Sequence, residues 1–113
     1  MSDELNSIYL FGYSPRAGVQ VNNLILLAKN QASKGLKVGI VLIHDGVISA
    51  SSKIKAPEVI NELMNLPIKI YAMIPDLKAR GISLDVIKDE VKPIEYAELV
   101  DIIDSTEKII SWM

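Results

Sequence analysis

A chain of 113 residues with 12 Lys and Arg against 14 Asp and Glu, net charge −2, has no basic excess with which to grip a phosphate backbone. The complete lack of Cys excludes a disulfide framework, a Cys-based zinc site, a thiol nucleophile and a persulfide carrier. The length fits a single domain over residues 1–113, and 50% of those residues are hydrophobic, a surplus whose usual outlet is a subunit interface.

The opening residues Met1-Ser2-Asp3-Glu4 are acidic and lack the cationic start of a signal peptide. Ser7 to Phe11, with four consecutive apolar residues from Ile8, reads as a buried first strand. Gly12 to Gly18 is a loop punctuated by Gly and Pro. Val19 to Lys34 is the first helix, stopped by Gly35. Within it Leu24, Ile25, Leu26, Leu27 and Ala28 run consecutively and therefore cover more than one face. No apolar run exceeds these five residues, too few to cross a bilayer, so a cytoplasmic protein without membrane contact is expected.

Lys37 to Ile43 is a second strand without apolar alternation, as expected for one covered on both faces. Pro57 suits the start of a second helix whose Ile60, Leu63 and Met64 share a face, and Leu66-Pro67 stops it. Ile68 to Ile74 is a third strand. Pro75 starts a short helical turn that Gly81 ends. Val91 to Ile94 is a short fourth strand, Glu95 to Ser105 a last helix, and Ile109, Ile110 and Trp112 suggest a final short strand. The alternation implies an α/β fold: a doubly wound, mainly parallel sheet of four to five strands, with helices on both faces and right-handed connections.

Ligands of such sheets bind beyond the carboxyl ends of the strands, where the strand order reverses. If the order begins 2-1-3, that crevice lies between the loops after the first and third strands. Tyr13, Ser14 and Arg16 would stand on one side, Pro75 and Asp76 on the other. Ser14, Arg16 and loop amides could hold an anion, although Gly12 to Gly18 fits neither a Walker loop nor GxGxxG and equally suits a plain turn. His44 and Asp45, adjacent on a strand end, should point to opposite faces, leaving Asp45-Gly46 as a tight turn and His44 as filler. Asp76 and Arg80 are spaced for a surface ion pair. Lys53 and Lys55 form a small basic spot. The last helix carries Tyr96, Leu99, Val100 and Ile103 on one face and Glu95, Glu98, Asp101 and Asp104 mostly on the other. No metal cluster, cofactor motif or catalytic constellation stands out, and direct contact with nucleic acid is not expected.

Several short motifs in order bear a resemblance. His44-Asp45-Gly46-Val47, Pro67-Ile68-Lys69-Ile70-Tyr71-Ala72, Asp76-Leu77 and Ala79-Arg80-Gly81-Ile82, with Ser14-Pro15 after the first strand, resemble the DsrH/TusB family of sulfur-relay proteins, relatives of DsrE and DsrF. The resemblance runs from about Tyr9 to Trp112. It implies a DsrE-like, flavodoxin-like three-layer sandwich and membership of an oligomer, with like chains or with DsrE/DsrF (TusD/TusC)-like subunits. These assemblies serve 2-thiolation of the tRNA wobble uridine or sulfur oxidation. Sulfur-carrying relatives of this superfamily place their active Cys eight residues before the Gly of an Arg-Gly pair. Counting back from Gly81 reaches Met73, whose thioether cannot form a persulfide.

The resulting expectation is a non-catalytic docking subunit rather than an enzyme, without cofactor or metal. Its helix residues Leu24, Ile25, Leu26 and Leu27 would face a sister chain. Tyr13, Ser14, Arg16, Asp45, Met73, Asp76 and Arg80 would shape the strand-end loops. The alternative is a small-molecule or anion-binding regulatory domain using the crevice.

Overall fold

The computed structural model describes residues 5–53 and 58–112, with residues 58–60 by backbone alone. Five strands, β1 (Ser7–Phe11), β2 (Val38–Leu42), β3 (Lys69–Met73), β4 (Val91–Ile94) and β5 (Lys108–Trp112), form one sheet in the order β4-β3-β2-β1-β5. All four pairings are parallel. Every strand therefore ends at the same edge of the sheet. The connecting helices are α1 (Gly18–Ser33), α2 (Glu58–Met64), α3 (Ile74–Ala79) and α4 (Tyr96–Asp104), with 3-10 helices at His44–Ala50 and Leu84–Val86.

The class and the layering are those expected, a parallel sheet with helices on both faces. The strand order is not the 2-1-3 beginning. β3 pairs with β2, and β5 closes on the free side of β1. A right-handed crossover can place the next strand on either side of the sheet, so the local sequence pattern does not carry this choice. The final strand, a short segment of mixed composition, is present as expected.

Strand alternation divides the core in two. On one face Tyr9, Phe11, Val38, Ile40, Leu42, Ile70, Ala72 and Val91 pack against Val21, Leu24, Ile25 and Ala28 of α1, Leu63 and Met64 of α2, and Leu77 of α3. On the other, Ile8, Val41, Ile43, Tyr71, Met73 and Ile94 meet, among the described residues, Leu99 and Ile102 of α4 and Leu5 before β1. β2 lies between β1 and β3 and is buried along its whole length, because both of its faces are covered, which explains its lack of apolar alternation. β4 is an edge strand, and that position tolerates Pro93, which has no N–H to give to a ladder. Gly35 and Gly81, at φ +79° and +69°, end α1 and α3 in the left-handed conformation that other residues adopt only under strain.

Pro57 and Lys55 lie outside the described residues, as does the side chain of Ile60; Leu63 and Met64 of the same expected face are buried. On α4 the inward residues are Leu99 and Ile102, whereas Tyr96 and Val100 stand in solvent. The helix is thus rotated from the face its apolar residues alone would select.

Tyr9 has a consequence for alkaline stability. Burial among apolar neighbours raises its hydroxyl above the ordinary value of 10.0, because the phenolate would be desolvated. Unfolded chains ionise Tyr9 near pH 10 while the folded chain holds it neutral, so its contribution is complete below that pH and is lost as pH rises toward the folded value. The slope is at most about 1.4 kcal/mol per pH unit. Urea midpoints measured from pH 8 to 11 should fall more steeply for the native chain than for Tyr9→Phe. Parallel curves would contradict this. Lys88 acts in the opposite sense: burial lowers its ammonium from 10.5, partly offset by Glu90, so its charge costs stability that is recovered as pH rises between its lowered value and 10.5.

Candidate functional site

Three loops meet at the carboxyl edge of the sheet. The loop after β1 carries Tyr13, Ser14 and Arg16. The 3-10 helix His44–Ala50 follows β2, and α3 follows β3. Because β2 separates β1 from β3, its loop stands between the two that were expected to form a crevice. Ser14, Arg16 and Asp76 therefore do not face one another across a shared cleft.

The middle loop begins with a sharp reversal. Ile43 is extended, and His44 then adopts φ 48°, a left-handed conformation that is uncommon for a residue with a Cβ. Asp76 holds it there: its Oδ2 accepts the His44 backbone N–H at 3.1 Å. His44 and Asp45 are exposed, and they start the 3-10 helix instead of ending a strand. Thus His44 is not a space-filler, and Asp45-Gly46 is not a two-residue turn.

Arg80 completes the link. Its Nε and Nη2 donate to Asp45 Oδ1 at 3.1 and 3.0 Å. Its Nη1 donates to the Asp76 carbonyl at 3.3 Å and lies 4.0 Å from Asp76 Oδ1. The expected i, i+4 pair is present at its outer limit, but the closer partner is Asp45, which is 35 positions away in sequence. One guanidinium and two carboxylates therefore tie the loop after β2 to α3. An exposed pair of this kind adds only about 0.2–1 kcal/mol. Its larger effect is positional, since it fixes two strand-end loops in one arrangement.

Gly46 makes that arrangement possible. A Cβ at this position would stand 2.3 Å from the Phe11 carbonyl oxygen, so only Gly lets the 3-10 helix lie against β1. At the far end of the same helix, Lys88 Nζ donates to the Ser49 carbonyl at 2.9 Å. Neither the Asp45–Arg80 link nor this Lys88 contact follows from local spacing. The only sequence signal for the first was the ordered pairing of the Asp-Gly-Val and Ala-Arg-Gly motifs.

The reversal in strand order falls between β1 and β5, and side chains fill it. Phe11 meets Trp112 edge-on, with centroids 6.0 Å apart, and Tyr13 at 5.7 Å. The Gly12 N–H donates to the Trp112 carbonyl at 2.9 Å. Ser14 is engaged in its own turn, where Oγ accepts the Arg16 N–H at 3.1 Å. Met73 closes β3 with 1% of its surface exposed. A cleft of about 310 Å³ lined by Ile68, Lys69, Ile70, Tyr71, Glu90 and Lys92 lies toward the other end of β3 and β4, away from these loops.

On α1, Leu24 and Ile25 are sealed in the chain's own core, so neither is on offer to a sister chain. Leu26 and Leu27 remain outside, 65% and 43% exposed, and Val19 joins them. The consecutive run thus divides: the sheet claims two of its leucine and isoleucine side chains and solvent receives the other two. Lys53 is exposed, as expected for part of a solvated spot. Among the described residues no helix is long and apolar enough to cross a membrane, and no group of three or more His, Cys, Asp or Glu could hold a metal ion.

Comparison with known proteins converges on one family. The model of the family described as "DsrH like protein" matches residues 13–109. Protein TusB of Shigella flexneri is 32% identical over 73 residues, which cover 65% of this chain and 73% of that protein. Protein TusB of Escherichia coli matches to the same extent. Among solved structures, the ychN protein of E. coli superposes with a TM-score of 0.77 at 16% identity, over 96% of this chain and 99% of that one. A protein of unknown function from Methanobacterium thermoautotrophicum gives 0.69 at 15% identity, over 90% and 96%. These two share the fold. The sequence matches, reaching from the loop after β1 into β5, go further: the chain belongs to the DsrH/TusB family of sulfur-relay proteins.

Proposed function

We propose that this chain is a non-catalytic subunit of an oligomeric sulfur-relay complex in the cytoplasm. Its companions would be DsrE/TusD-like chains that carry the reactive Cys and DsrF/TusC-like chains. The route served would be 2-thiolation of the tRNA wobble uridine or sulfur oxidation. The observation that carries this reading is a member of a sulfur-relay family with no thiol anywhere in its 113 residues. A sulfane sulfur needs a thiolate to attack and hold it, and a thioether has no proton to lose. Met73 is moreover closed off in the core.

Two further features support a docking role. The strand-end loops are tied to each other by Asp45, Asp76 and Arg80, which gives a partner a fixed surface. The outer side of α1 presents Val19, Leu26 and Leu27. The crevice-binding alternative gains nothing here, since its intended polar groups are separated by the loop after β2 or engaged within their own turns.

The test is sulfur transfer with a radiolabelled persulfide donor. The purified chain alone should retain no label and pass none on, while a complex containing its Cys-bearing partner should do both. Native mass spectrometry of the protein from its own cells should show that partner. Labelled sulfur carried by the isolated chain would overturn the non-catalytic assignment, and a strictly monomeric species without such a partner would overturn the assembly.

A further inference from the structure

The two edges of the sheet are not alike. β4 is closed to further pairing by Pro93, which offers no N–H, and by the adjacent Lys92. β5 has neither a Pro nor a bulge, and among the described residues only its inner side is paired, with β1 in strict parallel register. An unblocked edge is a template for another strand.

Its outward hydrogen-bonding groups can be identified. The Lys108 N–H donates to the Asn6 carbonyl at 3.2 Å, and the Trp112 carbonyl accepts from Gly12. Residues 108, 110 and 112 therefore turn their backbone groups toward β1. By alternation, Ile109 and Ser111 turn theirs outward. Lys108, Ile109 and Ser111 are exposed.

From this we infer that β5 pairs with β5 of a second copy of this chain, antiparallel about a two-fold axis at Ile110, to give a continuous sheet across both copies. Only this local register lets Ile109 and Ser111 of each copy exchange both of their outward bonds with Ser111 and Ile109 of the other. The same register sets complementary side chains together on one face. Ile110 meets its own counterpart. Lys108, which has no carboxylate partner among the described residues, stands opposite the indole of Trp112 in the second copy. The indole is met at its own side by the edge-on ring of Phe11, at 84°, and an ammonium over its face gains a cation–π contact. No like charges oppose each other along the strand. This contact joins identical chains and is separate from the Cys-bearing partner of the relay.

Since the native chain has no Cys, a single substitution reports the register. Opposed non-hydrogen-bonded residues have Cα atoms about 4.5 Å apart, within disulfide range. Mild oxidation of Ile110→Cys should give a covalent dimer, and Ser111→Cys should give little. The native chain should show a concentration-dependent monomer–dimer equilibrium by sedimentation. Ser111→Pro removes one outward N–H from each copy and none that bonds β1, so it should raise the dissociation constant about tenfold or more. Lys108→Glu provides the same test without a backbone change, should the proline variant fail to fold by circular dichroism. A native chain that stays monomeric at all concentrations would overturn the inference. So would dimers unaffected by the folded edge variant, or cross-linking at 111 in preference to 110. Sulfur relay measured with the Cys-bearing partner is independent of each of these outcomes.

Discussion

Replacing Gly46 by Ala should lower the unfolding free energy by about 1–3 kcal/mol, the range for forcing an extra carbon into a packed site. The new Cβ would meet the Phe11 carbonyl oxygen at 2.3 Å and its carbon at 3.3 Å. That carbonyl cannot easily retreat, because it accepts the Ile43 N–H at 3.0 Å and belongs to β1, a strand paired on both sides. The 3-10 helix would have to lift instead, carrying Asp45 away from Arg80. Chemical denaturation should therefore show a lowered midpoint, and the Arg80 side-chain resonances should shift with it. Gly18→Ala is the control: its Cβ would meet nothing within 4 Å, so little change or a slight gain is expected. Equal effects at the two positions would contradict the close approach of this loop to β1.

The second large effect separates neighbours on α1. Leu24 is fully buried, and Leu24→Ala should cost about 2–5 kcal/mol through lost contacts and a residual cavity. Leu26, two positions on and 65% exposed, should tolerate Ala within about 0.5 kcal/mol. If the outer side of α1 is a docking surface, Leu26→Asp should leave thermal stability near that of the native chain yet deplete the partner in co-purification. Retained assembly by a folded Leu26→Asp chain would remove α1 from the interface. Marked instability of Leu26→Ala would mean that the outer side of the helix is covered within the chain itself.

The sequence is legible where one residue's neighbours decide its state. β4 and the end of α3 fall where short-range signals put them, at Val91–Ile94 and at Gly81. The lack of apolar alternation in β2 announced a strand covered on both faces. It could not announce which strand lies on each side, because side-by-side placement depends on the direction of each crossover rather than on local pattern. The conformation of His44 escapes local rules for the same reason. A left-handed residue is stabilised here by Asp76, 32 positions away, and a local rule for Asp-Gly turns contains no such partner. Arg80 likewise reaches Asp45 because parallel strands bring successive loops to one edge. The division of Leu24 through Leu27 between core and solvent required the helix's rotation about its own axis, which a run of consecutive apolar residues leaves undetermined.

The uneven cover of the sheet sets a hierarchy of opening. α4 has no fully buried residue, and it leads to β5, which the chain reaches only by returning across the sheet after the other four strands are laid down. The C-terminal segment, which touches the α1 side of the core through Ile110 and Trp112, can thus detach while the rest of that side stays closed. Amide protons of α4 and β5 would then exchange ahead of those in β2 and β3. Each such excursion leaves β1 as a temporary sheet margin, bare until the segment returns.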